Sequence, residues 1–347
     1  MSAVIAPERR AGLAEEHAWL RHEHGIVDWS GAGVFEISGD RAVDFLDAVC
    51  TRSAAFLVEE RTLPALMLRD DGSIVAAVDV FCHRDRYVIL VWPDQRAAVA
   101  AHLAAYASAR AGVTVTDRSD ATAVLGIEGP GSGRVVDALV EGGGVAQIAY
   151  KSFTVGRWPE GDLIIARIGV TAEFGYTLML PAAQRAALHD RLVELGAHHP
   201  CGRDAVDVCR MESRFVDLER DLPDPRATPF DVGLQWMVDV THEFTGKTAL
   251  LERWERRGMP LPVCFTTLAD QPLEPGVTVL AGDEIVGVVT NSVWSPGLRR
   301  VIGIAHIDAE VAVPGLELAT RGGLHDTPIS TCSGPFVVPT SVAAGRG

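Results

Sequence analysis

One aspartate stands in an apolar run. Ser73-Ile74-Val75-Ala76-Ala77-Val78-Asp79-Val80-Phe81 carries no other charge. A strand's period of two puts Val75, Ala77, Asp79, Phe81 and His83 on one face. A carboxylate there must meet a partner or have its pKa raised by burial, and the raised pKa is the condition of a general acid or base. The alternative is an edge-strand aspartate satisfied by a neighbouring N–H. Arg210 poses a similar problem on a mostly apolar helix face. A guanidinium there needs a carboxylate or other acceptor, and Glu212 and Asp207 are close enough in sequence to form an internal ion pair.

Other chemistry is set aside. Gly126-Ile127-Glu128-Gly129-Pro130-Gly131-Ser132-Gly133 fits neither GxGxxG nor GxxxxGK[ST] and reads as a strand-helix turn. His17, His22 and His24 do not share a helix face, so they read as solvated and no metal is expected. No GxSxG elbow occurs, and the 6 cysteines are scattered without a CxxC pair, which suits buried thiols in a reducing cytoplasm. Trp92, Trp158, Trp236 and Trp294 are able to stack on an aromatic ligand, but each also suits a core.

The elements that position these residues follow from periodicity. Gly33 to Ser38 alternates as a strand and Arg41 to Val49 reads as a helix. Ala65 to Leu68, Ser73 to Phe81 and Tyr87 to Trp92 read as a three-strand meander, followed by an alanine-rich helix over Gln95 to Arg110. Strand, helix and strand recur at Val124 to Ile127, Ser132 to Val140 and Phe153 to Val155. Leu163 to Ile168 and Tyr176 to Leu180 read as strands, and Ala182 to Leu195 as a helix. Beyond Arg257, prolines punctuate short strands such as Val277 to Leu280 and Glu284 to Thr290, the pattern of a small β-barrel. The expected division is 1–255 and 256–347.

A chain of 347 residues is long enough for about two domains. Charged residues at 22% and hydrophobic ones at 48% give the balance of a globular enzyme, and the mixture of strands and helices suits an α+β fold. The formal charge of -15 and the absence of a basic cluster exclude a nucleic-acid partner. The opening residues form no secretory signal and no run of 18 apolar residues occurs, so a membrane-free cytoplasmic protein is expected.

Several segments, in one order, resemble the folate-dependent aminomethyltransferase (glycine-cleavage T-protein) family. They include Gly25-Ile26-Val27-Asp28-Trp29-Ser30, Met67-Leu68-Arg69-Asp70-Asp71-Gly72-Ser73-Ile74, Ile127-Glu128-Gly129-Pro130 and Arg167-Ile168-Gly169-Val170-Thr171-Ala172-Glu173-Phe174-Gly175-Tyr176. Asp207-Val208-Cys209-Arg210-Met211-Glu212, Thr228 to Leu234, Phe244 to Leu250, Thr290 to Pro296 and Pro335-Phe336 continue the likeness to the C-terminus. The resemblance implies three subdomains arranged as a cloverleaf around a folate channel, ending in the barrel, with tetrahydrofolate as the cofactor.

It also implies site residues. A pterin presents two parallel N–H donors that a carboxylate accepts in a fork, which makes Glu173 the anchor candidate. Its loss is then expected to weaken folate binding. Arg210, Arg321 and Tyr176 join it as cofactor-binding candidates, and Asp79 is the catalytic candidate. Glycine-cleaving members look like Gly-Gly-Ile-x-Asp-Asp where this chain has Ala76-Ala77, so the expected acid is missing. Asp79 lies one residue pair, roughly 6.6 Å, further along the strand. Pro64, Trp92 and Val170 also depart from the family's common residues. The implied activity is methyl transfer from a small O-, N- or S-methyl compound to tetrahydrofolate, with the reverse direction open. A divergent glycine-cleavage aminomethyltransferase is one alternative, though an acidic lipoyl carrier protein is not an expected partner of so acidic a chain. A folate-binding iron–sulfur maintenance protein is the other, and the cysteine of its hallmark is absent from Glu243-Phe244-Thr245-Gly246-Lys247-Thr248.

Overall fold

The run around Asp79 is the second strand of a five-stranded antiparallel sheet in the computed structural model. That model describes residues 12–341 apart from 109, 141–142, 160, 223, 256–257 and 323–325. The leader over 1–11 lies outside the described residues. The sheet order is β3 (Thr62–Leu68), β4 (Ile74–His83), β5 (Arg86–Val91), β2 (Gly33–Ser38) and β6 (Thr114–Asp117). Helices α2 (Ala42–Val49) and α3 (Arg96–Ala107) cover one face. Their Phe45, Leu46, Val99 and Leu103 bury against Ile37, Ala76, Val78 and Val80. Alternation then turns Ala77 and Asp79 to the opposite face, which looks into the molecule.

A second sheet of six strands runs β11 (Pro200–Cys201), β1 (Gly25–Asp28), β7 (Thr122–Glu128), β10 (Gly175–Pro181), β9 (Gly161–Ala166) and β8 (Phe153–Trp158). Helices α4 (Ser132–Leu139) and α5 (Arg185–Glu194) pack Val135, Val136, Leu188 and Leu192 on Leu125, Ile127, Ile165 and Leu178. The core against the other face joins both sheets: α1 (Leu13–His22) and α6 (Arg203–Glu212) bring Leu20, Val206 and Cys209 to Val27, Ala166 and Met179, with Phe81 of the first sheet alongside.

After α7 (Lys247–Glu255), a closed barrel is formed in the order β12 (Leu261–Thr267), β15 (Arg300–Ile307), β14 (Glu284–Ser295), β13 (Thr278–Ala281), β16 (Glu317–Arg321) and β17 (Thr327–Cys332). Val263, Phe265, Val279, Val289, Ala305 and Ile307 fill it. Gly303 must be a glycine here, because a Cβ would lie 2.5 Å from the Phe265 ring. The outer side of β15 packs Ile302 and Ile304 on Met211, so α6 is buried between sheet and barrel.

One sequence expectation is corrected. His17 is not solvated: it is 4% exposed, and its Nε2 lies 2.9 Å from Glu212 Oε1. Arg21 Nε donates to Glu212 Oε2 at 2.8 Å, and Ser295 Oγ donates to Oε1 at 2.5 Å. Glu212 therefore ties α1, α6 and the barrel together. Burial opposes its charge, but His17 and Arg21 hold the carboxyl below its usual pKa. Among the described residues no helix is long and apolar enough to cross a membrane.

Candidate functional site

A cavity of about 680 Å³ lies where the two sheets, α6 and the barrel meet. Strand β4 contributes Ala77 and Asp79, and the adjoining strands contribute Pro64 and Leu90, which pair directly with Asp79. Trp92 follows the end of β5, where Pro93 stops the strand and opens a short 3₁₀ turn. Its ring lies 4.4 Å from that of Trp29 at 46°. Trp29 is seated by a glycine: a Cβ on Gly126 would stand 2.8 Å from the indole Nε1. Ile168, Gly169 and Val170 supply another wall, Leu218, Phe230, Val232 and Met237 a third, and Leu261 and Pro262 of the barrel close the side.

The buried and half-buried carboxylates in this largely apolar chamber are paired. Lys151 Nζ donates to Asp79 Oδ1 at 3.0 Å. Lys151 sits at φ +61°, a conformation that few side-chain-bearing residues adopt, and its ammonium is 5.3 Å from the Tyr150 ring. Its backbone is fixed by bonds from its N–H to Arg167 and from Thr62 N–H to its carbonyl. Burial works against the charge, but Asp79 and Tyr150 raise the lysine's pKa, so it stays an ammonium.

On α6 and the segment after it, Arg210 Nη1 donates to the Phe215 carbonyl at 2.6 Å and to Asp221 Oδ2 at 3.0 Å. Its Nε and Nη2 have no hydrogen-bond acceptor, the facing oxygens of Asp207 and Asp217 being 3.6 Å away. Arg203 bridges the same two aspartates at 2.9 and 2.6 Å and stands 5.9 Å from the Trp29 ring. Burial raises the pKa of Asp217, but Arg210 and Arg203 outweigh it and hold the carboxyl below its usual range.

The structure thus brings two of the sequence candidates, Asp79 and Arg210, to one cavity and places three elsewhere. Glu173 accepts from Thr340 N–H at 2.9 Å and from Ser341 N–H and Oγ at 2.8 and 2.6 Å, with Arg21 at 3.5 Å. Its oxygens hold the C-terminal segment, and Glu173 is not among the residues that line the cavity. Tyr176 is buried under the second sheet, its hydroxyl donating to the Ala146 carbonyl at 3.1 Å. Arg321 is exposed on the barrel and makes a two-pronged pair with Asp326 at 2.9 Å. For Arg210, Asp207 is a partner as sequence allowed, while Glu212 belongs to Arg21 and His17 instead.

Sequence reasoning missed Lys151, Trp29, Arg203 and Glu128. The motif that carried Glu128 was visible, but its burial was not. Glu128 accepts from Val170 N–H at 3.2 Å and Thr171 Oγ1 at 2.8 Å, beneath the loop that walls the cavity. Gly169 and Gly175 crowd it so closely that a Cβ on either would lie 2.6 Å from Oε2. Burial pushes its pKa up to about 7 despite those hydrogen bonds.

Comparison with known proteins matches the sequence to a family. Residues 6–242 match the GCVT N-terminal domain, and residues 262–337 the glycine cleavage T-protein C-terminal barrel domain. An aminomethyltransferase of Thermotoga neapolitana is 30% identical over 329 residues, covering 90% of this chain and 88% of the relative. One from Methylococcus capsulatus is 35% identical over 303 residues, covering 86% and 81%. The crystal structure of glycine cleavage system aminomethyltransferase T from Bartonella henselae superposes with a TM-score of 0.86 at 23% identity, covering 94% of this chain and 90% of that one. That structure has the same fold.

Proposed function

Because the chain belongs to the glycine cleavage T-protein family, a family of folate-dependent transferases, we propose that it is a tetrahydrofolate-dependent one-carbon transferase acting on a small molecule, most simply one that moves a methyl group from O, N or S to the folate. The observation that carries this reading is the Asp79–Lys151 pair set beside Ala77 and Trp92 in an otherwise apolar chamber. The cavity's size and its tryptophan walls fit a flat conjugated ligand. When bound, tetrahydrofolate supplies the nitrogen that receives the one-carbon unit. Glu173 does not supply the fork for its donor edge, since the C-terminal segment holds both oxygens.

The protein's part is positioning and proton handling. Lys151, kept charged by Asp79, donates a proton to the heteroatom that loses the methyl group. Asp79 orients the ammonium, and the pair takes back the proton that transfer releases, so the proton count is unchanged. The ring faces of Trp29 and Trp92 exclude water from the chamber.

Calorimetric titration with tetrahydrofolate, 5-methyltetrahydrofolate and 5,10-methylenetetrahydrofolate tests the frame, and the preferred one-carbon state gives the direction of transfer. Absence of binding to all three would end this reading. A second reading, aminomethyl transfer in glycine cleavage, is favoured by the name of the relatives at 30–35% identity. Stimulation by a lipoyl carrier protein would select it over the first.

A further inference from the structure

Two tryptophan faces beside an aspartate make a site that attracts a methylated ammonium or sulfonium cation, provided the carboxylate is bare. In this cavity the buried carboxylates on the wall are matched. Asp79 faces Lys151 at 3.0 Å, Asp207 faces Arg203 at 2.9 Å, and Asp217 faces Arg203 at 2.6 Å. Arg203 also stands 5.9 Å from the Trp29 ring, so one guanidinium already sits by that π-face. A cation entering between Trp29 and Asp79 would meet two fixed positive groups. Neither moves aside cheaply, since Lys151 is pinned through its backbone on both sides and Arg203 is shared by two acids.

Resting on the reading of this cavity as the one-carbon site, we propose that the methyl-bearing end of its donor is uncharged, and that Lys151 sets this preference by cancelling the charge of Asp79. Lys151 is then a specificity determinant as well as a proton carrier. Replacing it by methionine keeps an apolar stem of similar length and leaves Asp79 bare beside the tryptophans.

The test uses two probes of one shape, choline and its neutral carbon counterpart 3,3-dimethylbutan-1-ol, titrated without folate and followed by calorimetry and tryptophan fluorescence. Wild type is expected to bind the neutral probe about tenfold tighter than choline, and Lys151→Met to reverse the order, in line with the strength of a desolvated cation–aromatic contact. Lys151→Arg is expected to keep the wild-type order, and thermal melts of both variants check their folding. Equal or tighter binding of choline by wild type, an unchanged order in a folded Lys151→Met, or no binding of either probe by wild type would each overturn the proposal. Failure of folate to bind leaves these titrations unaffected and bears only on the cofactor.

Discussion

Lys151 Nζ and Asp79 Oδ1 meet at 3.0 Å although 72 residues separate them in sequence. The aspartate comes from the first sheet and the lysine from the loop that enters β8, so the bond forms only when the two sheets are docked. Asp79→Asn keeps the shape and removes the charge. One-carbon transfer is expected to fall by about 10²-fold or more, the usual contribution of a positioned proton-handling group, with folate affinity little changed. Steady-state kinetics beside calorimetry separates the two, and an unchanged turnover number would remove Asp79 from the chemistry.

Arg210→Ala leaves Asp217 and Asp221 facing each other's neighbourhood without their central cation. Such a break in a buried ion network costs about 3–5 kcal/mol. Urea unfolding should show the loss in the midpoint with little change in slope. A cost below about 1 kcal/mol would mean that Arg203 alone holds the cluster.

Glu128 gives a pH dependence. Its pKa is pushed up to about 7 by burial in the folded protein and lies near the ordinary glutamate value of 4.5 when unfolded, so between those values the native state binds the extra proton. Stability should therefore fall as pH rises from about 4.5 to 7, by on the order of 3 kcal/mol, and level off above. Glu128→Gln removes this slope and is expected to be more stable than wild type at pH about 8. Parallel melting curves of the two proteins across that window would contradict the assignment.

Glu173→Ala separates two roles. As placed, it loses bonds from Thr340 and Ser341 and leaves Arg21 with one acid fewer, a loss of about 2–3 kcal/mol. Folate affinity is expected to hold. A drop in affinity in a variant as stable as wild type would return Glu173 to the binding site.

Much of the architecture was legible. The period-two run at β4 placed Asp79 and Ala77 on one face, and proline-punctuated strands after Arg257 announced the barrel. What could not be read was long-range. The family motif located Glu173, but which way a loop carboxylate turns depends on residues 340 and 341, far along the chain. His17 looked solvated because its partner Glu212 lies 195 positions away. Lys151 carried no local signal at all: a lysine in a polar loop acquires meaning only from the aspartate brought to it. Arg210 was legible as a problem, an arginine on an apolar face, and the structure supplied a ring of aspartates as the answer.

The bonds that Glu173 accepts from residues 340 and 341, and those that join Glu212 to His17 and Ser295, bear on when the fold around the chamber is completed. On a ribosome, α6 and the loop beneath it emerge long before the barrel that covers them, so their acids wait with partners from only one side. The side of the cavity is closed only when Leu261 and Pro262 of the barrel arrive. Until then the nascent protein leaves the chamber open on that side, and slow, late closure is the folding behaviour that such distant contacts impose.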